Sequence, residues 1–282
     1  MREADWDLRP GYLAAAFALC SVWFLVRPIG WKLIIDRFGR PVPFAAIYRV
    51  YRSSEMSRYV PGAVWQFLSR IYLIKTWGVA ATACLAATMV DLVLATLAAV
   101  VPATAAMDAA LPDLGRYQRI VLIAFPVFAL CVVQPRIFNA WAGFIARQLG
   151  QPWERLRIGW MKLTSIWLMY VAGWLLLATG VAFFVHGVIR IEGADSVYIG
   201  SSYAVAWLIG TLFMVAPAGM GIREGALGLL LMQLMPRGPA FTLAVAVRLF
   251  LALEEIVWTI IGMAVLPRPE PTPSDAPPSE TT

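Results

Sequence analysis

Residues 215–235 read VAPAGMGIREGALGLLLMQLM. The stretch is apolar enough to sit in a bilayer, yet Pro217, Gly219 and Gly221 interrupt it, and Arg223 and Glu224 follow at once. What remains after the break, residues 225–235, falls well short of the roughly 20 residues that cross a bilayer core, so it reads as a half-helix or as part of a broken span. A break of this kind cannot face lipid, because its freed carbonyls and amides would lack partners; it must be buried in protein or line a cavity. The rest of the chain has the composition to bury it. Of 282 residues, 60% are hydrophobic and 14% charged, against about 25% charged in soluble proteins, and the mean hydropathy is +0.72. Too few polar side chains are present to cover a water-facing surface, which excludes a cytosolic globular enzyme. The expected fold class is all-α, a polytopic transmembrane helical bundle with two broken or re-entrant helical segments.

Apolar runs at 11–26, 79–101, 119–133, 163–189, 197–215 and 241–266 are the expected membrane helices. The first has acids and bases before it and no small-residue cleavage site, so it reads as a retained helix and not a signal peptide. Residues 27–75 hold nine basic and two acidic side chains, and 136–162 five basic and one acidic. Both stretches are expected on the cytoplasmic side by the positive-inside rule, with the connections carrying Asp108, Asp113, Glu192 and Asp195 outside. This places residue 1 outside. Residues 1–10 form a short amino-terminal segment, 11–266 one membrane domain, and the Pro-rich 267–282 a disordered extension with no soluble catalytic domain expected after it. The net charge of +6 is what basic loops facing anionic lipid produce, so no nucleic-acid partner is expected. Cys20, Cys84 and Cys131 lie singly in apolar runs, which argues against disulfides, metal and a thiol nucleophile.

The second broken segment is SSEMSRYVPGAVWQFLSR, residues 53–70, in which Pro61 and Gly62 separate two helical stretches. Phe44, Ile47, Tyr48 and Tyr51 recur at helical spacing before it, with Arg49 and Arg52 as charges; Trp65, Leu68, Ile71 and Tyr72 repeat an apolar stripe after it, beside Arg70 and Lys75. One reading is an interfacial helix with snorkelling arginines. The other is a re-entrant hairpin whose second half begins at Pro61 and offers free amides to an anion. The segment around Gly221 likewise allows two readings: a phosphate seat at a helix amino terminus beside Arg223, or a local Arg223–Glu224 charge pair with Gly221 and Gly225 packing against a neighbour.

Within the spans, Asp91, Arg248, Glu254 and Glu255 are ionisable groups at membrane depth, expected to face the bundle interior and pair; Arg248 and Glu255, seven apart, share a helix face. His186, the single histidine, closes an apolar run and reads as interfacial. Interrupted segments early in both halves of the chain are a pointer to a transporter site.

At these residues the chain resembles the flippase-like family that includes the transmembrane region of lysylphosphatidylglycerol synthases. The resemblance spans residues 31–266 and rests on SRYVPGAVWQ, with Arg58, Tyr59, Pro61, Gly62, Trp65 and Gln66, and on APAGMGIREGAL, with Pro217, Gly219, Gly221, Arg223 and Glu224; Arg248 fits a basic position in the last helix. It implies a multi-pass protein of a bacterial or archaeal inner membrane that moves, or helps to move, an anionic, aminoacylated or polyprenyl-phosphate-linked lipid between leaflets. It also implies a further hydrophobic helix before the one at 11–26. The aminoacyl transfer of full synthases belongs to a separate soluble domain, so no enzymatic activity, catalytic residue, cofactor or metal is expected. An anionic head group would be held by Arg58, Arg223 and Arg248. Two alternatives stand beside this: a lipid-modifying enzyme using Asp91, Glu224, Glu254 or Glu255 as acid or base, and an accessory partner of a lipid-linked glycosyltransferase or lipid synthase.

Overall fold

The computed structural model describes residues 5–38, 41–60, 64–110, 134–148, 155–191, 196–212 and 219–268 of the 282. The run at 119–133 with Cys131, the breaking residues Pro61, Gly62 and Pro217, the acidic positions Asp113, Glu192 and Asp195, and the tail beyond 268 lie outside them. Among the described residues the chain is a bundle of α1 (Pro10–Ile35), α2 (Phe44–Met56), α3 (Trp65–Lys75), α4 (Ala81–Ala110), α5 (Pro135–Gln148), α6 (Trp160–Val188), α7 (Ser196–Leu212), α8 (Ile222–Leu231) and α9 (Arg237–Val265), with a 3₁₀ turn at Ser57–Tyr59. Two short strands, β1 (Asp5–Trp6) and β2 (Ile189–Arg190), pair antiparallel and tie the start of the chain to the end of α6. The all-α bundle expected from composition is therefore present. α1, α4 and α6 contain stretches long and apolar enough to cross a membrane.

The first span is longer than expected. The apolar run at 11–26 does not end at Arg27 and Pro28: α1 continues through both to Ile35. A 26-residue helix is about 39 Å long, enough for a bilayer core of about 30 Å, whereas 16 residues would not reach. Pro28 has no N–H to give the carbonyl of Phe24, one turn earlier, and such a defect is tolerated in a membrane helix only where protein surrounds it.

α1 and α6 lie along one another, α4 packs on α6 and α7, and α8 folds back against α7 and α9. The α1–α6 contact is made by glycine. Gly173, Gly180 and Gly187 recur every seventh residue on the face of α6 turned to α1, where side chains of Trp23, Cys20 and Leu13 occupy the space a Cβ would need. In lipid, helices associate chiefly by close packing, and small residues permit it. A Cβ at Gly180 would lie 3.1 Å from the Cys20 backbone nitrogen and 3.2 Å from the Ala16 carbonyl oxygen, atoms that cannot yield. Gly180→Val is thus expected to cost about 1–3 kcal/mol by overpacking, read as a lower unfolding temperature in detergent; an unchanged temperature would refute the close approach.

The hairpin of α2 and α3 is built inside out. On α2, Ile47, Tyr48, Tyr51, Arg52 and Glu55 are buried. On α3, Trp65, Leu68 and Tyr72 of the apolar stripe face away from the protein, while Ile71 packs against the core and Arg70 is buried. α9 shows the same inversion, its outer surface carrying exposed Leu249, Leu253, Ile256 and Ile260. In a membrane this is the stable arrangement: apolar side chains meet lipid, and polar ones turn in to find partners. It overturns the interfacial reading, because Arg52 and Arg70 do not reach outward as snorkelling side chains would.

Candidate functional site

Polar groups from α1, α2, the 3₁₀ turn, α7, α8 and α9 converge near mid-height of the long helices, where Trp23, Phe24 and Arg27 fall in α1, Leu177 in α6 and Leu251 in α9. They surround a partly open cavity whose lining includes Arg27, Arg52, Arg58, Arg223 and Arg248. Five arginines around one cavity at membrane depth require counter-charge, and the structure gives most of them a carboxylate.

On the α1 side, Arg27 Nη2 donates to Asp91 Oδ2 at 2.8 Å and Arg27 Nε to the Tyr51 hydroxyl at 2.8 Å. Asp91 also accepts from the hydroxyls of Tyr170 and, at 3.4 Å, Tyr51. In the hairpin, Glu55 accepts from Arg70 Nη2 at 2.6 Å and from Arg58 Nη1 at 2.8 Å. Arg70 lies over the Tyr51 ring and donates to Ser54 Oγ at 2.9 Å. Arg58 reaches in the other direction to Glu255 of α9, which also accepts from the Tyr59 hydroxyl at 2.8 Å and faces Arg52 Nη1 at 3.8 Å. Arg58 therefore bridges two carboxylates from separate parts of the chain. The broken segment 53–70 is locked to α9 through it, and through Arg52 Nη2 to the Glu255 carbonyl at 2.8 Å.

The second broken segment closes the opposite wall. Gly219 and Gly221 have φ of +68° and +83°, a left-handed geometry that glycine adopts without penalty, and the chain turns there into α8. The Gly221 N–H donates to Glu224 Oε2 at 2.7 Å, so the first amide at this helix start, expected as an anion seat, already has a carboxylate. Glu224 also faces Arg248 Nε at 3.4 Å, which replaces the local Arg223–Glu224 pair. The packing role expected for Gly221 and Gly225 is likewise absent: a Cβ at either would meet nothing within 4 Å.

Arg223 is the exception among the lining arginines. Its side chain lies over Trp207 and reaches Thr211 Oγ1 at 3.4 Å, with no carboxylate partner among the described residues. A Cβ at Gly219 would lie 2.9 Å from Arg223 Nε, so the absence of a side chain at Gly219 is what lets the guanidinium pass.

The structure thus gathers Arg58, Arg223 and Arg248 around one cavity, with Tyr59 and Glu255 bonded to Arg58 and Glu224 to Arg248. Trp65 and Gln66 begin α3 outside the lining, with Trp65 exposed. Asp91 and Glu255 pair as expected of buried acids, though Asp91 does so with Arg27, which loop counting had placed at a helix end. Glu254 does not follow the expected pairing: it is 0% exposed and neither carboxylate oxygen has a partner among the described residues. His186 bonds Ser196 Oγ at 3.0 Å, at the far end of α6. Sequence reasoning gave no site role to Arg27, Arg52, Glu55 or Arg70. The spacing held a signal for part of this, since Tyr48, Tyr51, Arg52 and Glu55 follow an i, i+3, i+4, i+7 pattern that puts them on one helix face.

No curated protein matches the chain at a significant level. Residues 1–253 match the model of a family described as the lysylphosphatidylglycerol synthase TM region. The chain belongs to that family and is an integral membrane protein linked to lipid metabolism or transport.

Proposed function

We propose that the protein moves a lipid with an anionic head group between leaflets of the cell membrane, seating the head group in the arginine-lined cavity while the lipid chains stay in the bilayer. One observation carries this reading: Arg223, on the wall formed by the second broken segment, has no carboxylate partner among the described residues, in a cavity that already holds four other arginines. A phosphate drawn from water into lipid loses its hydration. Guanidinium groups replace that hydration with paired, charge-assisted donors. The carboxylates temper the affinity, because the phosphate must share Arg58 and Arg248 with Glu255 and Glu224, and a carrier must bind weakly enough to release. Glu55 and Glu255, the acids on the lining, are both engaged by arginines, which favours binding over acid–base chemistry.

The test is reconstitution of the purified protein in vesicles with labelled anionic lipids. Movement should exceed that in protein-free vesicles, and Arg223→Gln should slow it at least about tenfold, the scale of one charged hydrogen bond. Since Arg223 neutralises no carboxylate, the variant should fold as the parent does. Movement no faster than in protein-free vesicles would end the proposal.

A further inference from the structure

The charges around the cavity do not balance, and the imbalance has a definite size. Six arginines belong to the cluster: the five on the lining and Arg70 behind Glu55. Four carboxylates are bonded to them, Asp91, Glu55, Glu224 and Glu255. Residues 61–63 and 213–218, which complete the two breaks, contain no ionisable side chain. Among the described residues the cluster therefore carries two cationic charges in excess. A second observation runs parallel to the first: Arg27 Nη1, Arg52 Nε, Arg58 Nε and Arg223 Nε are buried without an acceptor among the described residues, and all four side chains line this cavity. Arg52 is only 2% exposed, so water on the outer surface cannot be its routine partner. Buried donors of this kind call for acceptor oxygens.

Resting on the translocation reading above, we infer that the preferred head group is a phosphate monoester, a dianion with three terminal oxygens at the end of a lipid chain. A phosphodiester offers one charge and two free oxygens, and meets half of the excess. An aminoacylated phosphodiester brings an ammonium as well, and each carboxylate on the lining already holds two arginines. Glu254, a buried acid without a partner among the described residues, is not part of the lining.

Binding of phosphatidate, phosphatidylglycerol, lysylphosphatidylglycerol and inorganic phosphate to the purified full-length protein in detergent micelles, by native mass spectrometry, tests this. At pH 8 phosphatidate should bind at least about tenfold more tightly than phosphatidylglycerol, with the lysyl lipid weakest. The preference should shrink as pH falls through the second phosphate ionisation near about 6. Arg223→Gln should flatten it, whereas Lys75→Gln, an exposed charge at the end of α3, should leave it unchanged. Equal binding of the two anionic lipids, or preference for the lysyl lipid, overturns the assignment. Inorganic phosphate binding as tightly as phosphatidate overturns the lipid as source. The two readings separate in vesicles: monoester selectivity without lipid movement removes translocation and leaves the head-group assignment, while rapid movement of phosphatidylglycerol with no monoester preference does the reverse.

Discussion

Asp91→Ala is expected to destabilise the protein by about 3–5 kcal/mol, the scale of breaking a buried ion pair from one side. Asp91 is 1% exposed and accepts from Arg27, Tyr51 and Tyr170, so its loss leaves the Arg27 guanidinium without its carboxylate and the Tyr170 hydroxyl without its acceptor. It also loosens a contact between α1, α2, α4 and α6 together, because each contributes one member. Thermal unfolding in detergent should show a large fall, and Asp91→Asn, which keeps the shape and one acceptor, a smaller one. The double variant Arg27→Leu with Asp91→Leu should recover much of the loss, since removing both charges also removes the desolvation penalty. An unfolding temperature for Asp91→Ala equal to that of the parent would refute the pair.

Two adjacent acids should respond in opposite directions. Glu255→Ala removes the acceptor of Arg58, Arg52 and Tyr59 and is expected to cost about 3–5 kcal/mol; it also unlocks the first broken segment from α9. Glu254 sits one residue earlier, fully buried, with both oxygens unpartnered among the described residues. An unsatisfied buried polar group costs about 1–3 kcal/mol, so Glu254→Leu, similar in volume, should raise stability by about that amount. Unfolding temperatures of the two variants decide the matter: a loss on Glu254→Leu would mean that its carboxylate has a partner after all.

The broken segments were legible because proline and glycine act locally. Gly219 and Gly221 announce a turn whatever surrounds them, and Arg223 beside them marks where charge would enter the membrane. The partners of the charges were not legible in the same way. Arg58 binds Glu55 three residues away and Glu255 on a distant helix, and only packing brings the second one near. Arg27 was misplaced for a more instructive reason. A proline after an arginine looks like a helix end, yet the run 11–26 alone is too short to cross a bilayer, and the apolar residues 29–35 supply the missing length. Length should have prevailed over the local break signal. Arg27, Arg52, Arg58 and Arg70, four of the nine basic residues in 27–75, belong to the buried cluster. They therefore carry no information on which side of the membrane that stretch faces. On α3 the spacing shows which residues share the apolar stripe but not which way it points, since periodicity fixes a face and lipid decides whether that face is out.

The glycine seam between α1 and α6 works as a ratchet with coarse teeth. Side chains of α1 fill gaps spaced seven residues apart on α6, so a slide that keeps them filled would have to span a whole repeat, about 10 Å. Smaller slides push side chains into backbone. The two helices are thus fixed in register, and any rearrangement of the helices packed around them has to leave this pair intact.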